Sequence, residues 1–208
     1  MRWLVIVGGA CVLLASCGGG AAAPAKQRRA GVGIGGKIPA SLLAGERPIG
    51  RGPRFQPPDA GHVIGRCEST LGRRRAAHIE VFAANKVVLL AAGIGTGPRR
   101  DFTDGRLTRA GCFGALVTLD PTGTVYFAAL AHLTLADVFK AWGQTLTSRR
   151  VASFTGGRTT VYVDGIRWRG APGGVPLRSG AEVVIEIGPH VPPHKRFVFA
   201  PQPPASMR

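Results

Sequence analysis

From His78 to Leu90 the chain reads HIEVFAANKVVLL, with Ile79, Val81 and Ala83 falling on one side of an extended segment. The apolar run resumes at Val87 after Asn85-Lys86, so this stretch predicts a β-hairpin. A second hairpin is predicted over CFGALVTLDPTGTVYFAAL, where Asp120-Pro121-Thr122-Gly123 places Pro and Gly where a tight turn uses them. The period then changes. In TLADVFKAWGQTL, Leu135, Val138, Phe139 and Trp142 share one helical face. Thr134 and Asp137 form a capping-box pair, and Gly143 is placed to end the helix. Alternation returns in TTVYVDGIRWR, around the turn pair Asp164-Gly165. In AEVVIEIG, Val183, Ile185 and Ile187 oppose Glu182, Val184 and Glu186, and KRFVFAP reads as a final edge strand. The order strand–strand–helix–strand–strand after Cys112 predicts an α+β, mostly β fold. The expected form is a β-grasp-like mixed sheet with one packed helix, extended by the 78–90 hairpin. A β-sandwich is the alternative, disfavoured because so complete a helix is a poor fit to an incidental one.

The flanks differ in kind. Arg2 precedes an apolar segment, Leu4 to Ala15, whose helical length of roughly 18 Å falls short of a ~30 Å hydrocarbon core. A positive residue, a short apolar core and small residues at a boundary are the anatomy of a secretory signal. Leu14-Ala15-Ser16-Cys17 resembles the lipobox of bacterial lipoproteins. That resemblance implies a signal peptide over 1–16 and lipidation at Cys17. It places the mature chain at the cell membrane, facing the extracytoplasmic side and with the membrane as partner through its anchor. Two or more acyl chains hold such an anchor stably. Residues 17–62 are rich in Gly, Ala, Pro and Arg without periodicity, the composition of a disordered tether. A single β-rich globular domain is expected over 63–199, and a disordered tail over 200–208.

Charge adds one more expectation. The chain carries a net charge of +16, and the tether holds Lys26, Arg28, Arg29, Lys37, Arg47, Arg51 and Arg54 against Glu46 and Asp59. A bias toward Ala, Gly and Arg accounts for much of this. Attraction to anionic envelope polymers or headgroups is the functional alternative. Nucleic acid is excluded as a partner: the basic residues are not interleaved with aromatics, and no zinc-finger, RRM or helix-turn-helix pattern occurs. Nothing in the sequence points to a particular protein partner.

With Cys11 in the signal and Cys17 at the anchor, Cys67 and Cys112 remain. An even pair in an exported chain reads as a disulfide, closing a loop of about 45 residues at roughly 3–4 kcal/mol, with free thiols or metal ligands as alternatives. Over about 78–193, Cys67, HIE at 78–80, AAGIG at 91–95, CFGALVTLDPTG at 112–123 and LTLADVFKAWG at 133–143 follow a family pattern in order and spacing. The chain thus resembles a family of uncharacterised bacterial exported proteins and lipoproteins. Their pattern is a Cys, a His-x-His strand, an Ala-Gly-Ile-Gly turn, a Cys before Leu-His-Thr-His-Asp, and a helix ending in Trp-Gly. Histidines clustered on adjacent strands would suit a transition metal. Here Glu80, Val117 and Leu119 stand at three of the family's histidine positions. The comparison leaves His78, Glu80 and Asp120 as a reduced candidate ligand set. The opposing expectation is that Asp120 caps its turn and His78 is an ordinary strand residue. His190 and His194, in HVPPH, form a loop pair open to opportunistic copper or zinc binding. No nucleophile elbow, paired acidic motif or phosphate loop occurs, and GIGTG at 93–97 opens no helix. A non-catalytic binding or interaction domain without a cofactor is therefore expected. A metal-binding envelope protein, and binding of anionic polymer or a membrane surface through the tether, are the alternatives.

Overall fold

The computed structural model describes residues 57–58, 62–84 and 86–199. The signal peptide, Cys17, nearly all of the tether and the tail beyond 199 lie outside the described residues. The elements run β1 (Arg75–Ala83), β2 (Lys86–Val87), β3 (Asp101–Thr103), β4 (Arg106–Arg109), β5 (Leu116–Thr118) and β6 (Thr124–Phe127). After these come α1 (Leu135–Trp142), β7 (Leu146–Thr147), β8 (Arg150–Val151), β9 (Thr159–Val163), β10 (Ile166–Arg167) and β11 (Glu182–Ile187). The main sheet is ordered β10-β9-β11-β1-β6-β5, with β2 paired to β1. Only β1 and β11 in it run parallel, in register from His78↔Glu182 to Ala83↔Ile187. Among the described residues the fold is α+β and mostly β: a mixed sheet with one α-helix laid on it.

Period-two alternation divides the sheet into two faces. Ile79, Val81, Val161, Val183 and Ile185 point into the principal core, where they meet Leu135, Val138, Phe139 and Trp142 of α1. The helix forms as its sequence dictates. The Asp137 carboxylate accepts from the Thr134 N–H at 2.8 Å and from its hydroxyl at 3.0 Å. Gly143 takes the left-handed conformation (φ 70°) that ends the helix. Trp142 is fully buried and meets Phe139 edge-on at 5.6 Å. In the β9–β10 turn, Asp164 and Gly165 both have positive φ, the condition for the tight hairpin their sequence announces.

Three expectations need correction, and one hairpin is new. The 78–90 hairpin does not extend an edge: β1 lies between β11 and β6, because its core-facing residues and β11 together cover the helix. The hairpin β3–β4 was not anticipated. It packs Leu107 against Leu71, Phe113, Val117, Leu119 and Tyr126, a second apolar cluster on the opposite face of the sheet. Residues 195–199 join no ladder, and the chain crosses the polar part of that second face after Pro192-Pro193. Finally, Pro57 and Pro58, within the expected tether of 17–62, pack on the domain. Pro57 is buried, and the Arg100 guanidinium donates twice to the Pro58 carbonyl at 3.1 Å.

Candidate metal centre

On the face away from the helix, the middle of the sheet is polar. His78 and Glu80 of β1 stand there beside Glu182 and Glu186 of β11, aligned by the parallel register. Each of these three carboxylates meets a histidine. His78 Nδ1 lies 2.9 and 3.1 Å from the two Glu182 oxygens. His194 Nδ1 lies 2.8 Å from Glu80 Oε2, and His190 Nδ1 2.9 Å from Glu186 Oε2. The His78 and Glu182 side chains are almost fully buried, at 4% and 1% exposure. Phe197 stacks on the His78 ring, centroids 3.5 Å apart and planes 5° from parallel.

The other ring nitrogen of His78 decides its chemistry. Nε2 lies 2.7 Å from the Thr122 carbonyl, which can only accept, so Nε2 carries the hydrogen. In a neutral ring Nδ1 is then a lone pair aimed at a carboxylate. That contact is attractive only when a cation, a proton or a metal ion, lies between them. A backbone carbonyl holding the far nitrogen is also how metal-bound histidines are commonly oriented. Gly123 permits this approach: at φ 85°, a Cβ there would collide with the Ile79 carbonyl and press to 3.1 Å from His78 Nε2.

Ligating atoms of His78, Glu80 and Glu182 all lie within 4.8 Å of one another. First-row metal–ligand distances of about 2.0–2.2 Å place neighbouring donors about 3 Å apart, so the His78–Glu182 spacing already fits and Glu80 needs a modest approach. His194, on the segment over the site, is the next donor in reach through its contact with Glu80. Imidazole with carboxylate suits zinc, copper or nickel.

The structure brings together two of the three residues read from the sequence, His78 and Glu80. Asp120 stands outside the group. Its Oδ2 accepts from Arg106 at 3.1 Å, while Oδ1 accepts from the Thr122 N–H at 3.2 Å and from the Thr122 hydroxyl. Asp120 therefore caps its turn, the opposing expectation for it, and the turn so fixed presents the Thr122 carbonyl to His78. Val117 and Leu119 are buried in the second apolar cluster. Tyr126 in that cluster is pushed up to about 12, first by burial and then by the negative charge of Asp120, with Arg106 opposing. Cys67 and Cys112 are joined by a disulfide, Cα atoms 5.3 Å apart, and neither belongs to the ligand group. Sequence reasoning missed Glu182 as a member of this group. Its signal was a carboxylate set among Val and Ile on a strand buried at every position, but its partner is 104 residues away.

Comparison with protein-family models, with curated proteins and with solved structures finds no match to this chain.

Proposed function

We propose that this chain is an exported, lipid-anchored and non-catalytic binding domain of the cell envelope, and that it binds a divalent transition-metal ion. His78, Glu80 and Glu182 are its ligands, and His194 joins them from the covering segment. One observation carries the metal reading: both His78 ring nitrogens face acceptors in a buried site, so a cation belongs between Nδ1 and Glu182. Envelope location and lipidation rest on the lipobox resemblance around Cys17.

The test is equilibrium dialysis of the mature chain against Zn²⁺, Cu²⁺ and Ni²⁺. One equivalent of at least one ion is retained by the wild type and by Asp120→Asn, and lost from His78→Ala and Glu182→Gln. Failure of the folded wild type to retain any ion, or retention unchanged in both ligand variants, refutes the metal site and leaves a proton as the bridging cation. Labelled palmitate incorporated by the wild type and absent from Cys17→Ser tests the anchor separately.

A further inference from the structure

The free edge of the sheet beyond β9 and β10 carries a cleft of about 620 Å³ that the histidine–carboxylate site does not touch. Ser148 from the β7–β8 turn, Arg158 and Thr159 at the start of β9, and Arg167, Trp168 and Arg169 leading out of β10 line it. We infer that this cleft binds an acidic sugar unit, one pyranose-sized ring bearing a carboxylate or a phosphate.

Charge comes first. No ion pair engages Arg158, Arg167 or Arg169 among the described residues, and the lining contains no carboxylate. Three guanidinium groups around one concavity repel one another and focus a positive field there, which an oxyanion relieves through paired N–H donors. Solvated arginines scattered over a basic chain would satisfy themselves in water. These three instead share a concavity with groups of a different kind. The Thr159 hydroxyl, on a residue only 5% exposed, has no hydrogen-bond partner among the described residues. Ser148, exposed, lines the same cleft, and its carbonyl accepts from the Thr159 N–H at 2.8 Å.

The ring requirement comes from Trp168. Its Nε1–H donates to the Ala171 carbonyl at 3.0 Å and its backbone N–H to the Val161 carbonyl at 2.8 Å, so the indole is held in place. A fixed aromatic beside hydroxyls and guanidinium groups recognises a body with one apolar face and a polar rim, as a sugar ring has. The volume lies within the usual range of small-ligand sites.

Such a ring occurs free or as one unit of a polymer, and the probes separate these sources. Glucuronate and glucose 6-phosphate represent the free unit, polygalacturonate the polymer, with glucose and inorganic phosphate as controls. Titrations of the full mature chain are followed by tryptophan fluorescence and calorimetry. Saturable binding of an acidic probe is expected, weakened about tenfold or more by Arg167→Ala or Arg169→Ala and weakened by added salt. In Trp168→Phe the fluorescence response disappears while calorimetry still reports weakened binding. Glucose should not bind, and phosphate should bind at least about tenfold more weakly than glucose 6-phosphate. Binding of polygalacturonate alone, lost in the arginine variants, supports the site and assigns the polymer as its source. Three outcomes overturn the inference: no acidic probe binds, binding persists in the Arg158→Ala/Arg167→Ala/Arg169→Ala variant, or phosphate matches the sugar phosphate. Circular dichroism of the variants, all altered at exposed arginines or the cleft-lining Trp168, shows that each remains folded.

Discussion

Reduction of the Cys67–Cys112 bond should lower the stability of the domain by about 4 kcal/mol. The bond spans a sequence separation of 45 residues. The chain-entropy relation for a loop of that size gives about 13 cal/mol/K, or about 4 kcal/mol at 25 °C. The folded geometry should survive the loss, because backbone bonds hold the same junction independently. Glu68 and Phe113 exchange both of theirs at 2.9 and 2.8 Å, and the Gly97 N–H donates to the Cys112 carbonyl at 2.9 Å. The missing bond is then felt mainly as extra freedom of the unfolded chain. The assay is urea unfolding of the exported Cys17→Ser chain beside its Cys67→Ala/Cys112→Ala derivative, with circular dichroism as probe. A somewhat larger m-value, because the unlinked unfolded chain exposes more surface, a lower midpoint and a fall in Tm of about 12–16 °C are expected for a domain of this size. A loss below about 1 kcal/mol would refute the reasoning, since the unfolded chain would then be compact enough to keep these ends together without the bond.

Two further outcomes follow from the core and from Tyr126. Trp142→Ala removes the largest fully buried side chain and should cost about 3–5 kcal/mol in the same unfolding assay; a loss under about 1.5 kcal/mol would show that the helix does not anchor the core. Tyr126 holds its proton to about pH 12 in the fold against about 10 when unfolded, so its contribution is complete below pH 10 and fades as pH rises through 12. That window is worth about 2–3 kcal/mol, and Tyr126→Phe should lose less stability than wild type between pH 9 and 12; parallel curves would contradict it.

What the sequence disclosed was local. Thr134, Asp137 and Gly143 mark the helix because caps act within a few residues, and Asp164-Gly165 marks a hairpin because positive φ is demanded at that spot. The β3–β4 hairpin escaped notice although Asp104-Gly105 offers the same signal. Asp101, Phe102 and Thr103 are all exposed, so only Leu107 carries an inward position and no alternation shows. The place of β1 in the sheet was hidden for a different reason: its parallel partner is the last strand, and periodicity says nothing of who lies alongside whom. The same gap concealed half of the candidate centre. His78 and Glu80 sit two residues apart and could be read together. Glu182 reaches them only through β11, and His194 and Phe197 only by a segment that forms no ladder. Asp120 entered the ligand set only through the resemblance; its carboxylate is taken up by the Thr122 N–H and by Arg106, the cap that was its opposing expectation.

The parallel pairing at the middle of the sheet has a consequence for biogenesis. The strand that closes the gap begins at Glu182, about a hundred residues after its neighbour starts, so the costliest loop closure is also the last one open to a growing chain. A nascent polypeptide that has not yet released β11 has no way to complete the hydrophobic layer. Until β11 has been made, the sheet cannot close over its core and the preceding strands remain open to threading.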